Sequence, residues 1–242
     1  MYAILIYKDM DKVSYLIISK FSLKKTLALG FIFVFIASGT SLVLAADTSN
    51  FQQTITAGTL DVDITNSSYV TVGSPSVALV STAFSFSCQT STGVFGTSSQ
   101  QIYIQNPDAA DNGFTVSLAG SATTAVWDSA GTDFDFNDPT TAGCTDGGDA
   151  DSVGGQMTVD ASAGSISAGA CASCSTTNVT LGASDSFEQA VTDSITLVTA
   201  AAGANDIGDW YVRDIDISQT IPAEQPAASD YDINMTLSIV AS

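Results

Sequence analysis

The sequence predicts an all-β protein, an antiparallel β-sandwich of the Ig-like or jelly-roll-like kind with long acidic loops. Two observations support this class. Apolar and polar residues alternate over short stretches, as in GTLDVDIT (58–65) and GFTVSLAG (113–120), and alternation is typical of strands with one buried face. Segments rich in Gly, Asn, Asp and Ser separate these stretches, and the chain after Ala46 shows no helical period.

The strand candidates run through the whole exported part of the chain. In order they are GTLDVDIT, TAFSFSC (82–88), QIYIQN (101–106), GFTVSLAG, QMTVD (156–160), TNVTL (177–181), SITLV (194–198), WYVRDIDISQTI (210–221) and YDINMTLSI (231–239). In WYVRDIDISQTI, Trp210 and Val212 share one parity, whereas Ile215 and Ile217 share the other. This change of parity predicts a β-bulge near Arg213.

The first 45 residues are predicted to be a signal peptide. Lys20, Lys24 and Lys25 precede an apolar run that ends in the small-residue triplet Val43–Ala45, as in secretory leaders. An uncleaved membrane anchor is the alternative, because the run is long. In both cases we expect residues 46–242 to be exported to the cell surface or the medium. We expect these residues to form one β-sandwich domain, with 46–75 as an N-terminal strand segment.

The charge of the exported part restricts its partners. The leader holds all five lysines and two aspartates, so one cation, Arg213, remains against 23 acidic residues, a formal charge of −22. Nucleic acid is excluded as a partner, because binding it requires many Lys and Arg contacts to phosphates. An anionic membrane surface is disfavoured for the same reason, which leaves membrane contact only through an uncleaved leader. Divalent cations are the natural counterparts.

Four cysteines predict two structural disulfides. An even count in an exported chain indicates disulfides, and Cys88, Cys144, Cys171 and Cys174 allow three pairings. The CASC motif (171–174) lies among Ser, Thr and Gly, without the helix or the cation that a redox-active thiolate requires. A zinc site is not expected, because the chain has no histidine and only one CxxC pair.

The residue inventory argues against an enzyme. Without histidine there is no Ser-His or Cys-His pair, and without lysine in the exported part there is no Schiff base or Ser-Lys dyad. Carboxylates abound, so no spacing singles out a catalytic pair. We therefore expect no catalytic residue. Trp127 and Trp210 are interpreted as packing residues rather than as platforms for sugars.

An acidic stretch, residues 133–155, is the candidate metal site. Calcium takes six to eight oxygen ligands, many of them from carboxylates on turns. The stretch fails the helix-loop-helix calcium motif, since Asp138 and Cys144 occupy the positions of its Gly and Glu. Two readings stay open, a calcium site and a mobile, solvated loop. The candidate ligands are Asp133, Asp135, Asn137, Asp138, Asp146, Asp149 and Asp151.

The C-terminal stretch resembles WxL-type cell-surface domains of bacteria. In DWYVRDIDISQTIPAEQPAASDYDINMTLSI (209–239), a turn with Pro and Ala leads into a last strand where Tyr231, Met235 and Thr236 match the pattern. Leu237 stands where those domains have tryptophan, and Ile239 where they have leucine. The resemblance implies a non-covalent attachment to the cell wall.

Two further resemblances concern the start of the exported part and its overall pattern. FQQTITAGTLDVDI (51–64) is similar to the first mature segment of TasA/camelysin biofilm-fibre proteins, which implies assembly by exchange of an N-terminal strand. Segments such as FSFSCQTSTG and SQTIPAEQPA resemble uncharacterised secreted proteins of environmental bacteria.

The expected function is that of a non-enzymatic structural or adhesive protein of the cell surface or cell wall, with calcium as a stabilising cofactor. Its expected partners are a cell-wall polymer, other surface proteins or a second copy of itself. The alternative is a self-assembling fibre or biofilm-matrix subunit that exchanges its N-terminal strand.

Overall fold

The computed structural model describes residues 52–107, 113–148, 151–171, 174–201 and 207–242. It confirms the all-β class, with three antiparallel sheets of four strands. The strands are β1 (Asp61–Thr65), β2 (Gln89–Phe95), β3 (Gln101–Asn106), β4 (Phe114–Gly120), β5 (Gln156–Asp160), β6 (Ser165–Ala168), β7 (Val179–Leu181), β8 (Ser184–Ser186), β9 (Ser194–Ala200), β10 (Gly208–Arg213), β11 (Ile215–Ile221) and β12 (Met235–Ala241). Two short 3-10 helices, Thr140–Gly143 and Ala161–Ala163, complete the regular structure of these residues.

Three short connections join the first two sheets. The first sheet has the order β1-β3-β10-β6, the second β2-β11-β5-β8, and the third β12-β4-β9-β7. Each of the runs β2–β3, β5–β6 and β10–β11 passes from one of the first two sheets to the other. The sequence predicted a β-bulge near Arg213, but the structure has a strand break there instead. β10 ends at Arg213, Asp214 has a positive φ of 62°, and β11 begins at Ile215 in another sheet. Strands commonly change sheets through such a bend.

The inward side chains of all three sheets form one apolar core. In β4, Phe114, Val116 and Leu118 are buried, while the intervening Thr115 and Ser117 are partly exposed. The fully buried Trp210 lies in the same cluster, with its ring centroid 5.5 Å from that of Phe114. The alternation read from the sequence therefore matches the face that each strand buries.

Two parts of the strand pattern differ from the prediction. The TAFSFSC stretch precedes β2 instead of forming a strand, and it leaves Phe84 51% and Phe86 78% exposed. Strands β2, β6 and β8 escape detection because they carry few apolar residues. In β2, Gly93 lies against Leu79, and a Cβ there would collide with that side chain. Leu79 pairs antiparallel with Gly93, and its side chain fills the space that a side chain at position 93 would occupy.

The structure pairs Cys88 with Cys144 and Cys171 with Cys174, which confirms the two predicted disulfides. The first bridge spans 56 residues and ties the start of β2 to the acidic stretch. The predicted leader lies outside the described residues. Among the residues that the structure describes, no helix is long and apolar enough to cross a membrane.

Candidate functional site

The outward face of the first sheet gathers aromatic and polar side chains. In the register of β3 and β10, Tyr103 lies opposite Tyr211. The neighbouring Ile102, Ile104, Trp210 and Val212 are buried in the core, so strand alternation directs the two tyrosines outward. We call this surface the tyrosine face, and its members are Tyr69, Gln101, Tyr103, Gln105, Tyr211 and Arg213.

Tyr69 lies over the tyrosine face from the turn that follows β1. It has a positive φ of 59°, and the Oδ1 atom of Asn66 accepts hydrogen bonds from two amides of that turn. Its ring centroid is 4.9 Å from that of Tyr103 and 6.5 Å from that of Tyr211. Tyr103 is buried beneath it, while Tyr69 and Tyr211 stay partly exposed. The contacts therefore leave two tyrosine rings accessible at the centre of the face.

Neutral partners hold the guanidinium of Arg213. Its Cζ lies 4.4 Å from the ring centroid of Tyr211, a cation-π geometry. Its Nε donates a hydrogen bond to Oε1 of Gln101 at 3.0 Å, and its Nη2 donates to the same oxygen. Gln101 is itself buried. The single cation after residue 46 is thus fixed on this face by an amide and a ring.

A buried carboxylate supports the tyrosine face at one end. The Tyr103 hydroxyl donates to Oδ2 of Asp209, which is only 7% exposed. Burial, and next the hydrogen bond to Asp209, raise the pKa of Tyr103 to about 12. The hydroxyl therefore stays protonated at neutral pH. Gln105 donates to the same hydroxyl at 3.3 Å, which adds a second fixed polar group.

Asp209 also organises the loop that carries the CASC motif. Its carboxylate accepts hydrogen bonds from the amides of Ala170 at 2.6 Å and Cys171 at 2.8 Å. Its own amide donates to Sγ of Cys174 at 3.1 Å. The Oδ1 atom of Asp209 lies 3.6 Å from the same sulfur. Sequence reasoning missed this role, because Asp209 lies 35 residues after Cys174 and has no distinguishing neighbours.

Among the predicted calcium ligands that the structure describes, no three carboxylates come together. Within the described residues, the one set of at least three acidic or cysteine side chains with ligand atoms inside 4.8 Å of one another is Cys171, Cys174 and Asp209. Asp146 and Asp151 are exposed, and Asp149 lies outside the described residues. Calcium binding therefore stays a prediction that depends on rearrangement of this stretch.

The other predicted ligands have structural contacts. Asp133 accepts a hydrogen bond from the amide of Ser129 at 3.1 Å. Asp135 is buried and accepts from the amide of Phe136. The amide group of Asn137 donates to the carbonyl of Thr123 at 2.9 Å.

The carboxylate of Asp138 connects distant parts of the acidic stretch by hydrogen bonds. Its buried carboxylate accepts hydrogen bonds from the amides of Thr140 at 2.8 Å, Gly147 at 3.0 Å and Gly148 at 3.1 Å. A carboxylate with three backbone donors has most of its lone pairs engaged. Its observed role is to shape the turn that contains Cys144.

The tryptophans pack as expected. Trp210 is fully buried, and its indole N–H donates to the carbonyl of Ser175 at 2.9 Å. Trp127 stacks on Phe134 at 5.7 Å and donates to Gln219 at 2.9 Å. Neither forms an exposed platform. The accessible aromatic rings of the described residues include the partly exposed Tyr69 and Tyr211 as well as Phe84 and Phe86.

An apolar cleft of about 480 Å³ opens between the sheets. Side chains from the three edge strands β1, β2 and β12 line it, among them Ile64, Phe95 and Leu237. The outer edges of β1 and β2 already accept hydrogen bonds from the amides of Val72 and Val80. Among the described residues, no segment pairs with the outer side of β12, so this strand offers unpaired backbone groups beside the cleft.

No family model matches the chain, and no curated protein or solved structure matches it.

Proposed function

We propose that the chain is an exported, non-enzymatic structural or adhesive protein of the cell surface, with a cell-wall polymer as its partner. The tyrosine face is the observation that carries this proposal. It presents the partly exposed rings of Tyr69 and Tyr211 beside the exposed Gln105 and the partly exposed Arg213. Rings contact the apolar C–H faces of sugars, and amides and arginine hydrogen-bond to hydroxyl groups.

The negative charge of the chain favours a neutral polysaccharide as the polymer that it binds. The exported part has 23 acidic residues and one cation, so a polyanion such as a teichoic acid would be repelled at low ionic strength. The cation on the tyrosine face is already partnered by neutral groups, which suits a hydroxyl-rich ligand. Calcium, as a cofactor, would act by screening the acidic stretch.

Co-sedimentation with isolated bacterial cell walls tests the proposal. We expect the exported chain to bind, and Tyr211→Ala and Arg213→Gln each to weaken binding about tenfold, because each removes a contact of about 1 kcal/mol or more. Phe86→Ala, which removes an exposed ring from another surface, is the matched control. Equal binding by all four proteins, each checked for folding by its thermal transition, would exclude the tyrosine face as the site.

The cleft favours a second candidate, a self-assembling fibre or matrix subunit. Residues 55–59 form no strand and are exposed, and Ile55 is 88% exposed. This segment of one copy would add as a strand to the outer edge of β12, beside the cleft of a second copy. Leu60 and Ile64 already pack against the core of their own chain, so the exchanged segment ends before Leu60.

Sedimentation velocity separates the two candidates. For a fibre subunit we expect large species from the exported chain in millimolar calcium, and a loss of these species in Ile55→Asp. Val191→Asp is the matched control, because Val191 is 71% exposed in a turn away from the N-terminal segment. Monomers in calcium and in chelator alike would reject assembly and leave the wall-binding proposal intact.

A further inference from the structure

We propose that Cys171, Cys174 and Asp209 form a zinc site when the two cysteines are reduced. In that state the chain offers two thiolates and a carboxylate, a sulfur-and-oxygen donor set that suits Zn²⁺. The ligand atoms of the three side chains already lie within 4.8 Å of one another. Water would complete the four ligands, since three protein ligands leave one tetrahedral position open.

The geometry around Asp209 fits one tetrahedral metal. The 3.6 Å from Asp209 Oδ1 to Cys174 Sγ is no hydrogen bond, because a disulfide sulfur carries no hydrogen. Zinc–sulfur and zinc–oxygen bonds at the tetrahedral angle place the two ligand atoms about 3.5 Å apart. The Cα atoms of Cys171 and Cys174 are 5.6 Å apart, close enough for both sulfurs to reach one ion.

The groups around the three ligands already orient them. The Tyr103 hydroxyl and the Ala170 amide donate to the carboxylate of Asp209, and such donors fix a metal-binding carboxylate. The Asp209 amide donates to Cys174 Sγ at 3.1 Å, a contact that stabilises a thiolate. Gly208 leaves room there, since a Cβ at that position would collide with the sulfur.

The oxidation state decides whether the site exists. In the disulfide the sulfurs are bonded to each other and provide no thiolate. In the dithiol, which is the state in which cysteines are synthesised, binding exchanges two thiol protons for one Zn²⁺ and releases both protons to solvent. The negative charge of the exported part attracts Zn²⁺ and therefore favours the bound ion over the ion in solvent.

Zinc competition against a chromophoric chelator, with the exported chain reduced by a phosphine under anaerobic conditions, tests the proposal. We expect one Zn²⁺ per reduced chain with a dissociation constant of about 1 µM or tighter, and none for the oxidised chain. Asp209→Asn should weaken binding about tenfold or more. Co²⁺ provides a second readout, because thiolate ligation gives a charge-transfer absorption that other side chains do not.

Two double variants show which pair of cysteines binds the metal. Cys171→Ser/Cys174→Ser should lose binding and the Co²⁺ absorption, while Cys88→Ser/Cys144→Ser should retain both. No zinc binding by the reduced, folded chain would overturn the proposal. The proposal would also be overturned if the Cys171→Ser/Cys174→Ser variant bound zinc as tightly as the unchanged chain. Unchanged zinc affinity in Asp209→Asn would show that Asp209 is not a ligand.

Discussion

At the scale of single residues, burial separates carboxylates that look alike in the sequence. Asp138 and Asp209 are both buried, and each accepts hydrogen bonds from backbone amides. Asp146 and Asp151 in the same acidic stretch are exposed. A buried carboxylate needs donors that compensate for its lost hydration, so Asp138 and Asp209 have stronger structural roles than the exposed Asp146 and Asp151.

Replacing Asp138 tests this difference. Asp138→Ala leaves the amides of Thr140, Gly147 and Gly148 without their acceptor. We expect the free energy of unfolding to fall by about 2 kcal/mol, since hydrogen bonds to a charged acceptor contribute about 1.5–3 kcal/mol each and water can replace the acceptor at the exposed Gly147 and Gly148. Urea denaturation measures the change. Asp146→Ala is the control and should change the stability by less than about 0.5 kcal/mol; an equal loss in both variants would contradict the role of Asp138.

At the scale of elements, the bend between β10 and β11 joins the first two sheets. Asp214 takes a left-handed conformation there, and its amide donates to the carbonyl of Gly96 at 3.0 Å. Its side chain is exposed. Because of the bend, the residues that face the core change from even to odd positions. Trp210 and Val212 face the core from the first sheet, and Ile215 and Ile217 face it from the second.

Substitutions at Asp214 test the bend through the backbone alone. A β-branched residue tolerates a positive φ poorly, so Asp214→Val should lower the free energy of unfolding by about 1–2 kcal/mol. Asp214→Gly should keep or slightly raise it, because glycine adopts this conformation without a steric penalty. Chemical denaturation of both variants provides the measurement, and a stable Val variant would show that the segment can form the bend in another way.

At the scale of the whole molecule, one core lies beneath surfaces with different chemistry. The tyrosine face is polar and aromatic, the cleft beside the edge strands is apolar, and the acidic stretch is tied to β2 by the Cys88–Cys144 bridge. A bridge across 56 residues removes much of the freedom of the unfolded chain, an effect of about 4 kcal/mol. The Cys171–Cys174 bridge encloses few residues, so Asp209 contributes more to the shape of its loop.

The sequence by itself determined the all-β class, most of the strands, the change of inward parity near Arg213 and the presence of two disulfides. These properties follow from local alternation and from the cysteine count, which need no knowledge of distant neighbours. Strands β2, β6 and β8 were not predicted because they carry few apolar residues. Only the tertiary structure decided the cysteine pairing, the burial of Asp138 and the meeting of Asp209 with Cys171 and Cys174. It also brought Tyr69 onto Tyr103 and Tyr211, because these contacts join residues far apart in the chain, and no period in the sequence encodes which strands become neighbours.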